Sequence, residues 1–338
     1  MRKIIMRKII LYIIPAFILG LPVSLQAQQT PMISQYMMNK FLVNPALAGV
    51  KGYTNISFTA RQQYSMLENE PQTFILSGDT RLLEDSWIRR KQKVEKKAKN
   101  ASRNKNIGIG GYFFNDRNGI TNRTGLQFTY AYHINFDNQY QLSFGLSVIG
   151  YQFKLDARNA LIYSTNDPLL NNHKTTFFVP DANAGIYVSG KGLYAGLSAS
   201  QLFGSYIKLG QNKFENYKTL RHFYLVGGYK WLVSHAVVLE PSLLARSTVD
   251  AFVMDATLRL FYQTDYWIGA TYRTNKTLAL MAGFMVDDVY LGYAYDATLG
   301  AIQNYSGGSH ELMVGIRLGD NSTRRSRWLR PDVSEIGE

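Results

Sequence analysis

Apolar and polar residues alternate in segments of about ten, and the pattern repeats from Tyr53 to Asp320. In Tyr140–Gly150, Leu142, Phe144, Leu146 and Val148 fall on one side, and Gln141, Ser143, Gly145 and Ser147 on the other. Side chains of a strand point alternately to opposite faces, so each segment has one greasy and one polar face. A soluble sandwich buries the greasy face against a second sheet. A transmembrane barrel turns it to lipid and keeps small polar residues for the lumen. Three stripes run the length of a strand: Phe252 to Tyr262, Leu278 to Val286 and Leu312 to Leu318, each taken at every second residue. An open sheet of this length would leave edge hydrogen-bonding groups that lipid cannot satisfy, so the stripes predict closure.

The first residues carry a separate message. Arg2, Lys3, Arg7 and Lys8 precede an apolar run, Ile9–Leu21, and Ser24–Ala27 offers small residues for cleavage. This reads as a secretory signal peptide over residues 1–27, too short for a stable transmembrane helix. MRKII occurs twice, which makes Met6 a second candidate start, and the lack of a nearby Cys argues against a lipoprotein. After Ala27 no run of about 20 apolar residues follows, which excludes a helical membrane protein. A mean hydropathy of −0.16 does not exclude a barrel, because only alternate residues of a barrel face lipid. Aromatics make up 13% of the chain and include 23 Tyr, the residue that interfacial girdles favour. The absence of Cys in an exported chain requires another source of stability, and a closed ladder of backbone bonds supplies one.

The formal charge of +13 is local. Four positive charges belong to the signal peptide. Arg89, Arg90, Lys91, Lys93, Lys96, Lys97, Lys99, Arg103 and Lys105 set against Glu95 give +8, leaving 13 − 4 − 8 = +1 for the rest. A nucleic-acid-binding surface is thereby excluded.

The sequence predicts an all-β protein, a transmembrane outer-membrane β-barrel of about 14 antiparallel strands with a short N-terminal periplasmic segment. The strands are expected at 53–63, 73–82, 107–115, 123–136, 140–155, 182–189, 193–203, 220–231, 236–248, 251–263, 266–274, 277–286, 289–296 and 310–318. Domain boundaries follow: signal peptide 1–27, N-terminal periplasmic segment 28–50, barrel 51–320 with a basic periplasmic excursion at 83–106, and periplasmic tail 321–338. The tight connections 137–139, 190–192, 232–234 and 287–288 fall on one side, and the long ones, 156–181, 204–219 and 297–309, on the other. Met32–Leu42 has the spacing of a short amphipathic helix ended by Asn44-Pro45 and Gly49.

The same alternation sends Asp79, Arg81, Glu240, Arg246, Asp255, Arg259, Arg273, Asp296 and Arg317 to the lumen. They form either a salt-bridged filling or a polar path, and a barrel of this girth leaves room unless something plugs it. His133 and His222 are expected to face the lumen near the periplasmic side; with His173, His235 and His310 they fit no catalytic or metal-ligand spacing. No enzyme activity and no cofactor are expected. The basic run is either a solvated charge run or a handle for an acidic protein or lipid phosphates, the latter implying strong salt dependence.

Ser34-Gln35-Tyr36, followed by Asn44-Pro45-Ala46-Leu47-Ala48-Gly49, carries a resemblance. SQYMMNKFLVNPALAG resembles the opening of the PorP/SprF family of type IX secretion system outer-membrane proteins of Bacteroidetes, whose members begin with a phrase like SQYMFNPLYLNPAYAG. Arg61-Gln62-Gln63-Tyr64, Glu70-Pro71-Gln72-Thr73 and Leu76-Ser77-Gly78-Asp79 continue it through a first hairpin, with Tyr64 where Trp is common and Lys40 where Pro is common. The resemblance implies an outer-membrane location and partners in the secretion machinery of the periplasm and outer membrane. It also implies a peptidoglycan-linked lipoprotein, cargo with a C-terminal sorting domain, a link to gliding machinery, and no catalytic residues. Ser34, Gln35, Tyr36, Asn44 and Pro45, together with the basic run, are the candidate partner-binding residues. A stand-alone pore or hydrophobic-ligand transporter is the alternative.

Overall fold

The computed structural model of the protein describes residues 32–67, 69–82, 106–136, 140–156, 174–204, 206–209, 215–234, 236–263 and 265–319. The first seven strands are β1 (Thr54–Gln62), β2 (Gln72–Arg81), β3 (Ile107–Asn118), β4 (Thr121–Phe136), β5 (Tyr140–Asp156), β6 (Lys174–Gly190) and β7 (Leu193–Ser200). The next seven are β8 (His222–Tyr229), β9 (Val237–Ser247), β10 (Phe252–Tyr262), β11 (Tyr266–Arg273), β12 (Thr277–Val286), β13 (Val289–Thr298) and β14 (Ser309–Leu318). Each pairs antiparallel with its sequence neighbour, and β14 returns to β1 with Thr54 opposite Leu318 and Gln62 opposite His310. The ring is a closed 14-stranded antiparallel barrel with no free edge.

The strand positions agree closely with the sequence pattern, and the departures have local causes. β6 begins at Lys174 rather than Ala182, taking in the end of the expected connection 156–181, with Pro180 facing outward on the longer strand. Residues 232–234, expected as a tight turn, lie in a short strand, Trp231–Ser234, that continues β8 past Lys230 and pairs with β9. No α-helix forms over Met32–Leu42, whose last three residues, Lys40–Leu42, make a 3-10 turn; a second 3-10 turn, Pro45–Leu47, follows.

Burial follows the alternation. On β5, Phe144, Leu146 and Val148 are exposed, whereas Gln141, Ser143, Gly145 and Ser147 are buried. Tyr140, Phe136, Tyr229, Trp231, Tyr262 and Tyr266 are exposed near one rim, where rings suit a membrane boundary. That rim carries the tight turns Lys191-Gly192 and Asp287-Asp288, the start of β1 and the end of β14. It is the periplasmic rim by the rule that places short turns there and long loops outside. The opposite rim carries the connections after β5, β7 and β13; that after β7 includes a small hairpin, Tyr206–Leu209 with Glu215–Lys218. β3 and β4 join on this rim through Gly119-Ile120 alone.

β4, β5 and β6 are the longest strands, at 16, 17 and 17 residues. The outer end of β5 inverts the polarity of the rest: Tyr151 and Phe153 face inward and Gln152 outward, beside the exposed Phe178 of β6.

The expected periplasmic lead-in is placed otherwise. Residues 33–53 lie inside the ring, where Tyr36, Met37, Phe41, Ala46, Leu47 and Ala48 form a core with Ala131, Tyr187, Tyr194, Val226 and Leu244 of the wall. The apolar side chains of this segment lose their water by filling the lumen, which a position beneath the barrel would not have achieved.

Candidate functional site

The filled lumen is the chemically distinctive part of the molecule. Its outer half is closed by a clasp of carboxylates around the first described residues. The Ser34 and Gln35 amides donate to the two oxygens of Glu311, Oε2 and Oε1, each at 2.8 Å. Ser34 Oγ donates to Asp296 Oδ2 at 2.6 Å and accepts from Arg61 and Arg273, each at 3.2 Å. Arg61 bridges Asp296 at 2.7 Å and Glu311 at 2.9 Å; Arg273 reaches Asp255 at 2.9 Å and Asp296 at 3.5 Å; Arg246 pairs with Asp255. Three guanidinium groups thus face three carboxylates (Asp255, Asp296 and Glu311), with their charges balanced within the cluster. Buried ions without partners are costly, and this balance makes a charged lumen tolerable without water-filled space.

The inner half is held by single polar anchors. Asn39 Nδ2 donates to Ser57 and Ser77 at 2.9 and 2.7 Å. Lys40 Nζ lies 3.4 Å from Glu240 Oε1 and 3.4 Å from the centre of the Tyr194 ring. Glu240 is completed by Arg259 at 2.6 Å and the Tyr194 hydroxyl at 2.7 Å. Asn44 Nδ2 donates to the Ile186 and Leu197 carbonyls at 3.0 and 3.2 Å, and its Oδ1 accepts from the Ala46 amide at 2.9 Å, capping the second 3-10 turn. His133 Nε2 lies 2.9 Å from the Ala48 carbonyl, which can only accept, so the proton sits on Nε2 and Nδ1 receives the Ser143 hydroxyl at 2.8 Å.

The wall makes room for the segment with glycine. A Cβ on Gly145 would lie 2.2 Å from the Ala46 nitrogen, and one on Gly185 would lie 2.1 Å from Asn44 Oδ1. Both contacts are tighter than any side chain permits, so the segment and these two wall positions fit each other specifically.

The nine lumen charges expected from sequence all stand on the inner face. Glu240, Arg246, Asp255, Arg259, Arg273 and Asp296 belong to the ion-pair clusters above. Asp79 accepts from the Gly49 amide at 2.9 Å, Arg81 is buried, and the Arg317 guanidinium lies 5.7 and 5.2 Å from the Tyr53 and Tyr290 rings. Five ion-paired residues were not singled out as lumen charges, although strand parity places four of them inside: Arg61 with Thr59 and Ser57, Glu311 with Met313, and Asp116 with its partner Arg123, 2.6 Å away. Lys40, the fifth, precedes the strands and has no parity to read.

Of the candidate partner-binding residues, Ser34, Gln35, Tyr36, Asn44 and Pro45 are enclosed against the wall, which gives them the work of seating the segment rather than an exposed contact. Arg89, Arg90, Lys91, Lys93, Lys96, Lys97, Lys99, Arg103 and Lys105 lie outside the described residues, as do residues 1–27 and 321–338. His133 sits in the periplasmic half, but His222 opens β8 and so stands at the long-loop end, because even-numbered strands run inward. No cluster of three or more metal-ligating side chains occurs among the described residues.

The family model of the type IX secretion system membrane protein PorP/SprF matches residues 25–316. The chain belongs to the PorP/SprF family. No curated protein matches it. Among solved structures, it is similar to the toluene transporter TbuX of Ralstonia pickettii, at 7% identity and a TM-score of 0.45, covering 84% of this chain and 92% of that one. It is also similar to the CymD monoaromatic hydrocarbon channel, at 11% identity and a TM-score of 0.45, covering 85% and 92%. The NanC porin matches at 10% identity and a TM-score of 0.36, covering 78% and 98%. The barrel fold and membership of the PorP/SprF family point together to the outer membrane.

Proposed function

We propose that this PorP/SprF protein is a non-enzymatic outer-membrane component of type IX secretion that docks sorting-domain cargo and ties the periplasmic machinery to the membrane. The observation that supports this reading is the occupied lumen. Residues 33–53 pack the ring from the Glu311 clasp down to the start of β1, so the two rims, rather than an open bore, are the surfaces a partner can use. A conduit for folded cargo would need a wider ring, and a general pore an emptier one. The long-loop rim is the cargo side in this reading. The periplasmic rim, with the basic run 89–105 and the tail, faces the machinery, a peptidoglycan-linked lipoprotein and lipid phosphates.

Affinity purification of the tagged protein from its native outer membrane in mild detergent, with mass spectrometry of the co-purifying chains, tests this. Secretion components or sorting-domain cargo are expected. Deletion of residues 86–104 is expected to leave membrane insertion intact, to reduce recovery of periplasmic partners most at low salt, and to remove the salt dependence of that recovery. Recovery of the barrel alone, under conditions that keep other membrane complexes together, would overturn the secretion reading.

A further inference from the structure

Packed protein interiors leave few voids larger than a water molecule. The lumen holds a larger one. Between the internal segment and the wall of β2 to β8, on the long-loop side, lies a cavity of about 120 Å³. Ile33 and Leu42 of the segment form its inner side, and Tyr112, Phe114, Tyr151 and Tyr224 supply rings from the wall. Arg123, Asn183 and Gln201 add polar groups.

Three features give the cavity the character of a site. Its volume approaches that of the roughly 150 Å³ apolar cavity known to take up benzene. Four of its lining residues carry rings, and three of these stand in a continuous row, Tyr112 to Phe114 at 6.1 Å and Phe114 to Tyr151 at 6.3 Å, which Phe41 extends behind Tyr112 at 6.1 Å. Such spacings are those at which rings attract one another, and another ring would add to the row on the same terms. The row also leads outward. Tyr151 packs with Phe153 and Val179 on the inner face of the extended β5–β6 hairpin, with Phe177 against them, an apolar wall rising toward the long-loop rim. The polar groups nearby are already engaged: Arg123 pairs with Asp116, Asn183 donates to Gln127 at 2.6 Å, and its Oδ1 receives the Gln201 amide at 3.1 Å. No full charge is therefore left over to hold an ionic ligand.

We infer that this cavity is a binding site for a neutral single-ring aromatic group entering from the long-loop side. The inference stands apart from the secretion role and rests on the cavity alone. The ring can belong to a free small molecule or to an aromatic side chain of a polypeptide, since the lining would meet both with the same contacts.

The test uses the full mature chain in detergent and 4-fluorophenol, followed by fluorine NMR. Saturable binding is expected in the unaltered protein. Ile149→Phe places a ring in the cavity from the wall and Ile33→Phe does so from the segment, so one remains informative should the other fail to fold. Each is expected to weaken binding by about tenfold or more, the effect of a lost fit in an apolar pocket. Leu146→Phe, on the lipid face, is expected to leave it unchanged. Displacement by free toluene but not by short Phe- or Tyr-containing peptides would assign the site to small molecules; displacement by the peptides would assign it to a polypeptide ring. Absence of saturable binding, or equal binding in the filled variants, would overturn the inference.

Discussion

Glu311→Gln is the most incisive perturbation of the lumen. Glu311 accepts the Ser34 and Gln35 amides at 2.8 Å each and the Arg61 guanidinium at 2.9 Å. A glutamine of the same shape offers one acceptor oxygen and turns its NH2 toward a donor. One backbone amide then loses its acceptor in a dry site, at a cost of about 1–3 kcal/mol, and Arg61 loses one of its two ionic partners. Asp296 remains beside Arg61, which moderates the second loss. The combined effect is about 3 kcal/mol, or roughly 100-fold in the equilibrium between seated and released segment. The chain has no Cys, so Met37→Cys supplies a single thiol at a position buried in the seated state. Maleimide labelling in detergent then reports the released fraction, because a buried group reacts only when its surroundings open. Glu311→Gln is expected to accelerate labelling by roughly 100-fold. Its effect should overlap that of Arg61→Met, since the two residues share one network. Acceleration below about threefold, under 1 kcal/mol, would refute the claim that this carboxylate holds the segment.

Other expectations follow from the same packing. Asn44→Ala removes two donations to wall carbonyls and the cap on Ala46, and should destabilise the barrel by about 2–3 kcal/mol in urea titration. Gly145→Val forces a side chain against Ala46, and should give inserted barrels in which the Met37 thiol labels rapidly. Leu146→Arg places a charge in the lipid-facing stripe and should cost about 2–4 kcal/mol if Leu146 lies at mid-membrane, whereas Gln152→Arg, beyond the polarity inversion, should be nearly neutral. In planar bilayers the unaltered protein should conduct weakly, and Glu311→Gln should add open events; large steady conductance in the unaltered chain would contradict a filled lumen.

The wall was legible because its physics is local. Alternation at Leu142, Phe144, Leu146 and Val148 needs only one strand's geometry, and the same parity correctly sends Asp255 and Arg273 inward. The outer part of β6 was not legible, because a proline at 180 is uncommon inside a strand, whereas here it sits on the outward face of a long hairpin. The internal segment was not legible for a different reason. Ser34 and Glu311 are separated by 277 positions, and nothing near Ser34 announces a carboxylate at the far end of the chain. Glycine at 145 and 185 offered a clue to close approach, but not to what approaches.

The placement of Ser34 sets an order of events for assembly. The segment is made before any strand, yet its acceptors Asp296 and Glu311 arrive with the last hairpin, β13–β14. A chain that has formed twelve strands therefore still lacks the groups that recognise its beginning. The closing hairpin both seals the ring against β1 and reads whether the front of the chain is in register, so a barrel that closes empty leaves three arginines and three carboxylates without the Ser34 hydroxyl and amides between them. Ring closure in this protein thus brings the last hairpin of the barrel onto the segment that precedes its first strand.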